Sequence, residues 1–448
     1  MKGPLPVIVV GGGVAGIAAA TALADAGRSV VLVEQRKLIG GRAGSFRHAM
    51  GVQVLDHPGM IPAGQGPQGL LDNSQHVLLG CCTQLQQLYR RLGVSHLIRF
   101  ERAIRFADTR GRQATMQASQ LPSPLHLGPS LATFGLLTFE QKSQIARAMA
   151  HMLVATPQAR DAVEGESFAT YLRSAGQSDQ TIRDFWDVIC ISALNEPCLH
   201  ASAKYGLQVF QDGFLGPRHG YTLGYATVPL SLLYTQIPGV DVRVGQQVLA
   251  LAFDGTRVRG VRMVNGQELP ASHVILATSA PPALFMLEPA LHLDPRLKSM
   301  AKIQYRAILG AHLLYDRPVP IPSPVAMVGT SMQWAFVDTH RPELIHGVVS
   351  AADLLPLDAD LPHLFDAELR QVFPAMNSAK LLDAVVVRET RATFRPLPGA
   401  EVYRPTQSTH IPGLTLAGDY TRTNWPATME GAARSGQLAA DIVCESLG

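Results

Sequence analysis

The residues that decide the fold are VIVVGGGVAGIAAATALADAGRSVVLVE, at positions 7–34. A β-branched run precedes three consecutive glycines, an alanine-rich run follows them, and a second valine-rich run comes after Gly27. This order predicts a buried strand at 7–10, a helix that ends at Gly27 and a second strand at 29–35. Residues 4–24 carry no charge, but glycines at their centre argue against a membrane-spanning helix. The chain therefore opens with a βαβ unit.

The glycines of this unit have the spacing of a dinucleotide site. Gly11 allows the tight turn, Gly13 lets the backbone approach a pyrophosphate, and Gly16 lets the helix pack closely on the strand. The helix N-terminus would offer free N–H groups to the phosphates. Glu34 follows Gly16 by eighteen residues, where an acid binds ribose hydroxyls. A chance glycine turn with a solvated glutamate remains the alternative.

Composition excludes several classes of protein. The chain has 448 residues, enough for two or three domains, and its net charge of +3 is too small for a nucleic-acid-binding protein. Only 16% of residues are charged, against about 25% in average chains. This indicates a large core, an apolar cavity or a membrane-facing patch. The five cysteines lack metal-site spacing, so we expect no metal and a reducing, cytoplasmic compartment.

Two further motifs point to the same cofactor. RKLIGGRAGSF (36–46) follows the second strand and places flexible backbone and Arg42, whose planar fork suits phosphate, near the same site. At the other end, LAGDYTRTNWPATMEGAARSGQLAAD (416–441) predicts a strand, a loop and a helix. Asp419 is expected to bind hydroxyls, and the helix that starts near Thr428 would direct its dipole at a ring that becomes anionic on reduction.

Together the three motifs resemble the FAD-dependent amine oxidase and phytoene desaturase superfamily, over residues 1–60, 240–280 and 410–448. Within it, DNSQHVLLGCC (72–82) and SPLHLGPSL (123–131) resemble the squalene-associated branch, the hydroxysqualene dehydroxylases of hopanoid biosynthesis. The resemblance implies FAD as the cofactor. The residues that it places on FAD are Gly11, Gly13, Gly16, Glu34, Gly41 and Arg42 on the ADP half, Val248 beside the adenine, Asp419 on the ribitol or pyrophosphate, and Met429 near the flavin ring.

The implied fold class is α/β, a Rossmann-like FAD-binding domain interleaved with a substrate-binding α+β domain. We expect FAD-binding parts at 1–105, 206–280 and 386–448, a helical substrate- or membrane-facing part at 106–205, and a substrate-domain sheet at 281–385. Alternating residues at 240–278 predict a β-meander followed by a buried strand. Residues 305–315 and 325–350 predict further strands.

The polar run at 72–76 interrupts an apolar segment, and two interpretations remain open. It forms either a surface turn, with His76 as a core histidine, or the lining of a substrate cavity, as the resemblance implies. On the second interpretation Asp72, His76 and Glu430 are candidates for a catalytic acid. Two departures from the branch are Ser74, where glycine is usual, and the loop 56–69, which looks like an insertion.

The implied reaction is reductive removal of an allylic hydroxyl from hydroxysqualene to give squalene, with electrons from an unidentified donor. The alternatives are an FAD-dependent carotenoid-type desaturase or amine oxidase, and a non-catalytic prenyl-binding protein of the same fold. The segment 125–139, LHLGPSLATFGLLTF, has no acid and no Lys or Arg. We expect it to contact the membrane, so that the protein is peripheral on the inner face of the cytoplasmic membrane. Burial of this segment over the cavity is the alternative.

Overall fold

A computed structural model describes residues 4–51, 69–356 and 360–447. Its centre is a five-stranded parallel sheet whose strands come from four distant parts of the chain. In spatial order the strands are β10 (Val240–Val244), β2 (Val30–Glu34), β1 (Val7–Val10), β14 (His273–Leu276) and β20 (Leu414–Leu416). The predicted opening unit is confirmed, with α1 at Val14–Asp25 between β1 and β2.

Helix α1 is rich in alanine because it is covered on both sides. All its residues from Val14 to Leu23 are buried, between the sheet and the C-terminal helix α12 (Met429–Leu447). A Cβ atom on Gly16 would lie 1.9 Å from the carbonyl oxygen of Gly11, and one on Gly436 would lie 2.2 Å from that of Ala15. Only glycine therefore allows the backbone to approach so closely at these two contacts.

The predicted meander is shorter than expected. Its antiparallel strands are β11 (Val248–Asp254), β12 (Arg257–Met263) and β13 (Glu268–Pro270). The preceding strand β10 was wrongly included, because it pairs in parallel with β2 at the edge of the central sheet. Its alternating residues indicate a half-exposed strand and do not reveal which strand it pairs with.

A seven-stranded mixed sheet forms the second layer and confirms the strands predicted at 305–315 and 325–350. Its order is β19 (Leu381–Phe394), β15 (Tyr305–Tyr315), β18 (Leu344–Val349), β17 (Trp334–Val337), β16 (Val325–Val328), β7 (Ala103–Asp108) and β8 (Gln113–Gln117). The predicted domain boundaries at 105/106 and 385/386 fall inside β7 and β19. Each strand belongs whole to this sheet, so neither is a point at which the chain changes domain.

Two small sheets connect the layers. One pairs β3 (Ser45–His48) with β4 (Gly69–Asp72), and the other has the order β5 (Val77–Leu79), β9 (Leu223–Ala226), β6 (Ile98–Glu101). The polar run 72–76 begins with the last residue of β4 and leads into β5, at the joint between the sheets. The possible insertion at 56–69 lies, except for Gly69, outside the described residues.

The remaining helices form a layer beside the second sheet and around the central one. They are α2 (Thr83–Arg91), α3 (Gly128–Thr133), α4 (Phe139–Val154), α5 (Pro157–Ala162), α6 (Phe168–Ser174), α7 (Asp179–Thr181), α8 (Asp187–Leu194), α9 (Ala203–Gln208), α10 (Ala280–Leu287) and α11 (Leu361–Val372). Two π-helical segments, Ile182–Trp186 and Val209–Leu215, interrupt this layer. Within the described residues, no helix combines the length and the apolar character needed to cross a bilayer.

The glycine contacts indicate that Gly16 is needed for folding and Gly13 for binding of the cofactor. A Cβ on Gly13 would have no neighbour nearer than the Gly41 Cα, at 4.0 Å. We expect Gly13→Val to fold normally but to lose bound flavin, measured by visible absorbance. Gly16→Val should instead lose at least about 1–3 kcal/mol of folding free energy, since its side chain meets backbone. A Gly13→Val protein with full flavin content would show that this turn does not hold the pyrophosphate.

Candidate active site

A single elongated cavity of about 730 Å³ reaches from the glycine turn to the helical layer. One end is lined by the turn after β1, by Glu34 and by residues at the start of β11. The middle is lined by the polar run after β4 and by the loop that leads into α12. The other end is lined by apolar side chains of the second sheet and the helical layer. The cavity therefore joins a nucleotide-like site to an apolar chamber.

The glycine turn fits an ADP group. Helix α1 begins after Gly13 without a side-chain cap, so its first N–H groups remain available to an anion. The space beside Gly13 is open, as its nearest Cβ contact of 4.0 Å shows. Glu34 is buried and accepts hydrogen bonds from Gly12 N at 2.7 Å and Arg36 N at 2.8 Å. Its carboxylate is thus fixed at the end of β2, where ribose hydroxyls would lie.

Arg42 and Asp419 meet on the cavity wall. Arg42 Nη2 lies 2.6 Å from Asp419 Oδ1, and Arg42 Nη1 donates to the carbonyl oxygen of Ala392 at 2.7 Å. Burial opposes the charge on Arg42, but the attraction of Asp419 outweighs it and raises the pKa of the guanidinium. The Arg42 guanidinium, which was expected to hold phosphate, therefore already donates hydrogen bonds to Asp419 and Ala392. Its charge neutralises Asp419 within the predicted site.

The start of α12 lies on the same wall. Met429 lines the cavity together with the loop residues from Trp425 to Thr428. The Thr428 hydroxyl accepts a hydrogen bond from Gly431 N at 3.1 Å and so caps one N–H group of the helix. The dipole of α12 thus points into the middle of the cavity, as expected for the helix beside a flavin ring.

Glu430 holds two helices together. Its carboxylate accepts hydrogen bonds from the backbone N–H groups of Leu85 at 2.8 Å and Gln84 at 3.2 Å, at the start of α2. Arg434 Nε donates to it at 2.7 Å. These three donors occupy the carboxylate, although Glu430 also lines the cavity, and its predicted catalytic role stays a prediction. Its geometry is that of a helix cap.

Val248 lies at the same end of the cavity as Glu34, where β11 begins. Gln247 and Leu249 line the same stretch, and Phe285 of α10 also lines the cavity, with 68% of its surface exposed. The predicted contact of Val248 with adenine is compatible with this position and stays a prediction.

The polar run 72–76 is divided between two cavities. Residues 73–76 line the large cavity, as the second interpretation of the sequence expected. Asp72 instead lines a separate cavity of about 40 Å³, and its carboxylate accepts hydrogen bonds from Ser45 Oγ at 2.6 Å and Leu230 N at 2.9 Å. Burial raises the pKa of Asp72 to about 6. Asp72 therefore lies behind the wall of the large cavity, out of direct reach of a substrate there.

His76 is the predicted catalytic residue that lines the large cavity with a free nitrogen. Its Nδ1 lies 2.8 Å from the carbonyl oxygen of Ser74, which only accepts, so Nδ1 carries the hydrogen. Nε2 has no hydrogen-bond partner among the described residues. Burial, together with the charge of Arg42, lowers the pKa of His76 below its usual value. His76 is therefore neutral at rest and presents an acceptor to the cavity.

A buried histidine pair behind the polar run was missed in the sequence. His312 on β15 and His346 on β18 are cross-strand partners, and their Nδ1 atoms lie 2.8 Å apart. His312 Nε2 donates to the carbonyl oxygen of Asp72 at 2.9 Å, while His346 Nε2 lies 2.9 Å from Asp338 Oδ2. Burial and the neighbouring His346 lower the pKa of His312 to about 3. The pair fixes the end of β4, and a sequence alone does not reveal cross-strand register.

The far end of the cavity is apolar. Side chains of the second sheet and the helical layer line it, including Ile104, Phe106, Ile189, Phe214, Trp334 and Phe336. Among them, Phe214 belongs to the π-helical segment Val209–Leu215, a type of helix that is frequent at functional sites. This chamber suits a hydrocarbon chain.

The segment 125–139 is buried at its centre and exposed at its ends. Phe134 and Leu137 are 4% and 7% exposed, and the ring of Phe134 packs edge-on against Phe106, 5.1 Å between centroids. These residues cover the cavity wall, so the centre of the segment belongs to the core. At its ends, Leu125 and Phe139 are 60% and 85% exposed. The expected membrane contact therefore does not involve the whole segment.

The raised pKa of Asp72 has a consequence for stability. A carboxyl group whose pKa rises from 3.8 to about 6 on folding favours the folded state when it is protonated. Its stabilising effect is complete below pH 3.8 and is lost as the pH rises through about 6. We expect Asp72→Asn to raise Tm relative to wild type by an amount that grows between pH 4 and pH 7. A Tm difference that is the same at both pH values would contradict a raised pKa.

Comparison with known proteins agrees with this geometry. The profile of the family described as flavin containing amine oxidoreductase matches residues 14–444. The chain is 26% identical to hydroxysqualene dehydroxylase of Zymomonas mobilis over 97% of this chain and 98% of that protein. It is 24% identical to a 15-cis-phytoene desaturase of Glycine max over 99% of this chain and 80% of that protein.

Among solved structures, cyclohexylamine oxidase from Brevibacterium oxydans superposes with a TM-score of 0.68 at 19% identity, over 99% of both chains. This likeness shows the fold. The predicted fold class, the FAD cofactor and the assignment as an enzyme are confirmed. The contacts of individual residues with FAD stay predictions. With nearly its whole length matched, the chain belongs to the flavin containing amine oxidoreductase family.

Proposed function

We propose that the enzyme removes the allylic hydroxyl of hydroxysqualene reductively and releases squalene. The observation that carries the proposal is the continuity of one cavity, from an FAD-type nucleotide site to an apolar chamber. Similarity to a hydroxysqualene dehydroxylase over nearly the full length of both chains supports it. In the reaction the C–O bond breaks, a C–H bond forms, two electrons and two protons are consumed, and the oxygen leaves as water.

The chain's own residues supply the surroundings of this step. FAD, when bound, supplies the electron pair and a hydrogen. The apolar chamber holds the isoprenoid chain and excludes water from the reacting carbon. His76 Nε2 is the one free ring nitrogen that the predicted site residues present to the cavity, and it carries the proton to the departing oxygen once protonated. The unidentified electron donor remains part of the proposal.

Desaturation of a polyene is the second candidate, because the phytoene desaturase relatives match 99% of this chain. That reaction runs in the opposite direction and removes two hydrogens from a hydrocarbon. It needs no proton for a leaving group and no donor of electrons. The two candidates therefore predict different products and different requirements from one preparation.

The test uses the FAD-loaded enzyme reduced anaerobically with dithionite and mixed with hydroxysqualene. Mass spectrometry should find squalene, formed only with reduced enzyme. The same enzyme in air should leave phytoene and squalene unchanged. Desaturation of phytoene without formation of squalene would replace the proposal by the second candidate.

His76 should set the pH dependence of turnover. Its pKa lies below 6.5, and the protonated form is the acid, so kcat should fall as pH rises through that lowered value. His76→Asn should keep FAD bound, lower kcat by about 10²–10⁴ and lose this pH limb. Asp72→Asn serves as the control, because Asp72 titrates nearby without lining the large cavity. An unchanged pH profile in His76→Asn would assign the proton to another group.

We also propose that α4 contacts the membrane, in place of the centre of 125–139. Its buried face carries Ile145, Ala148 and Met152, and the helical period puts a second apolar stripe on the opposite face. This stripe consists of Phe139, Ser143, Ala146, Ala150, Leu153 and Val154. Phe139 and Val154 are 85% and 80% exposed.

The charges beside this stripe favour an anionic bilayer. By the same period Lys142 flanks it on one side, and Arg147 and His151 flank it on the other. Glu140 is the only acid on α4. An exposed apolar stripe between basic residues is the pattern of a helix that lies in the lipid interface. This position would give a peripheral protein on the inner face of the cytoplasmic membrane access to its membrane-dissolved substrate.

Co-sedimentation with liposomes that contain anionic lipid tests this contact. Changing Phe139, Leu153 and Val154 to Ser should reduce binding by about tenfold or more, since large apolar surface is lost. Changing Leu382 and Val402 to Ser is the matched control, because both are exposed apolar residues outside the helical layer. Equal binding by the α4 variant and the wild type, both flavin-loaded, would exclude α4 as the contact.

A further inference from the structure

Gln208 leaves a hydrogen-bond acceptor unused in the wall of the large cavity. It ends α9, is 4% exposed, and lines the cavity beside the apolar chamber. Its Nε2 donates to the carbonyl oxygen of Asn424 at 3.0 Å. Because that carbonyl can only accept, the orientation of the amide is fixed and Oε1 faces away from it. Among the described residues Oε1 has no hydrogen-bond partner, and as a buried atom it meets a ligand only after a small shift of the cavity wall.

An unpaired buried acceptor is unfavourable and therefore needs a reason. Native proteins pair nearly all buried polar atoms, and a lost partner destabilises the structure. Among the described residues that line the large cavity, only Ser74 Oγ and Gln208 Oε1 are buried without a partner. Ser74 belongs to the polar run in the middle of the cavity. Gln208 instead adjoins apolar residues, since Val209 and Phe214 of the following π-helical segment line the same chamber.

The position of Gln208 connects the chamber to the reacting end of the site. Asn424, its partner, lies in the loop that leads into α12, and residues 425–429 of that loop line the cavity. A ligand group held by Gln208 would thus lie where the apolar chamber meets the start of α12. This is the end of the chamber nearest to the predicted flavin ring.

We propose that Gln208 Oε1 accepts a hydrogen bond from the hydroxyl of the substrate and so selects an isoprenoid alcohol over a hydrocarbon of the same chain. The inference rests on the proposed function and deepens it. A hydrocarbon has no donor and would leave Oε1 unpaired, whereas an alcohol pairs it. A neutral amide also suits a neutral hydroxyl better than an ammonium group, which a carboxylate would bind more strongly. The nearby Asp212, the carboxylate in this segment, already lies 3.7 Å from Arg160.

The test measures equilibrium binding to the FAD-loaded enzyme, without turnover, through the change in flavin absorbance. The probes are farnesol, its methyl ether and the hydrocarbon of the same chain. The ether keeps the oxygen but cannot donate, so it isolates the hydrogen bond. Wild type should bind the alcohol at least about tenfold more tightly than either other probe. Equal binding of the three probes by wild type would overturn the proposal.

Two substitutions at Gln208 distinguish the effect of the hydrogen-bond acceptor from the effect of side-chain packing. Gln208→Met keeps the length of the side chain and removes the acceptor, so the alcohol should bind about tenfold less tightly while the hydrocarbon binds at least as well. Gln208→Glu, protonated in this apolar wall, keeps an acceptor oxygen and a donor for Asn424, and should retain the preference. A preference for the alcohol that survives in Gln208→Met would assign recognition to another group, Ser74 first.

The matched control is Gln211→Met, three residues further along, in the π-helical segment Val209–Leu215 that follows α9. Both amide atoms of Gln211 are paired, its Nε2 with the carbonyl oxygens of Met152 and Ala155 and its Oε1 with Arg160. This variant should lose stability but keep the preference for the alcohol. Loss of the preference in Gln211→Met as well would attribute the effect to the helix and overturn the role of Gln208.

The outcome is separable from that of the proposed function. Binding that prefers the alcohol through Gln208, without formation of squalene from hydroxysqualene, would reject the reaction and keep the recognition. Formation of squalene with a Gln208→Met enzyme whose KM and kcat both equal those of wild type would keep the reaction and reject the recognition.

Discussion

The ion pair between Arg42 and Asp419 joins parts of the chain that are 377 residues apart, and the site depends on it. Asp419 is buried and Arg42 is partly exposed, so removal of Arg42 would leave the carboxylate on the cavity wall without its counter-charge. The pair fixes the glycine turn after β2 against the loop that leads into α12. These are the two segments that the sequence resemblance places on FAD, and they meet on one cavity wall.

This meeting follows from how the central sheet is assembled. The chain enters it at β1 and β2, leaves for the second sheet and the helical layer, and returns at β10, β14 and β20. Because all five strands are parallel, each excursion leaves the sheet at its carboxyl edge and returns to it at its amino edge. The cavity is bounded by the central sheet on one side and by the excursions on the other. Glycines set the backbone contacts of the nucleotide half, whereas apolar side chains form the chamber.

The sequence predicts the strands and helices of the FAD-binding part well because their determinants are local. Glycine spacing, the acid at the end of β2 and the strand before α12 each act within a few residues. The sequence predicts contacts between distant parts of the chain less well. Strand β10 looked like part of the meander, since period-two alternation does not name the neighbouring strand. The burial of Phe134 depends on Phe106, a residue of a distant strand, and no local pattern carries that contact.

The polar run 72–76 shows the same limit of prediction from sequence within only five residues. Asp72 and His76 looked equally suited to proton transfer, because residue type sets their chemistry. The end of β4 separates them, and the hydrogen bond from His312 to the Asp72 carbonyl fixes that end. Asp72 faces Ser45 and a small cavity, whereas His76 faces the large one. A side chain's role here follows from strand register that residues more than two hundred positions away determine.

The charges around the large cavity constrain when His76 can act. Glu34, Asp419 and Glu430 are each engaged by backbone N–H groups or by an arginine, so none is free to stabilise a protonated imidazole. Arg42 acts in the opposite direction and helps to keep the pKa of His76 low. Negative charge that enters the cavity with an electron pair would oppose Arg42 and favour protonation of Nε2. On the proposed function, reduction of a bound FAD would therefore offset part of the effect of Arg42, while the burial that lowers the pKa of His76 would remain.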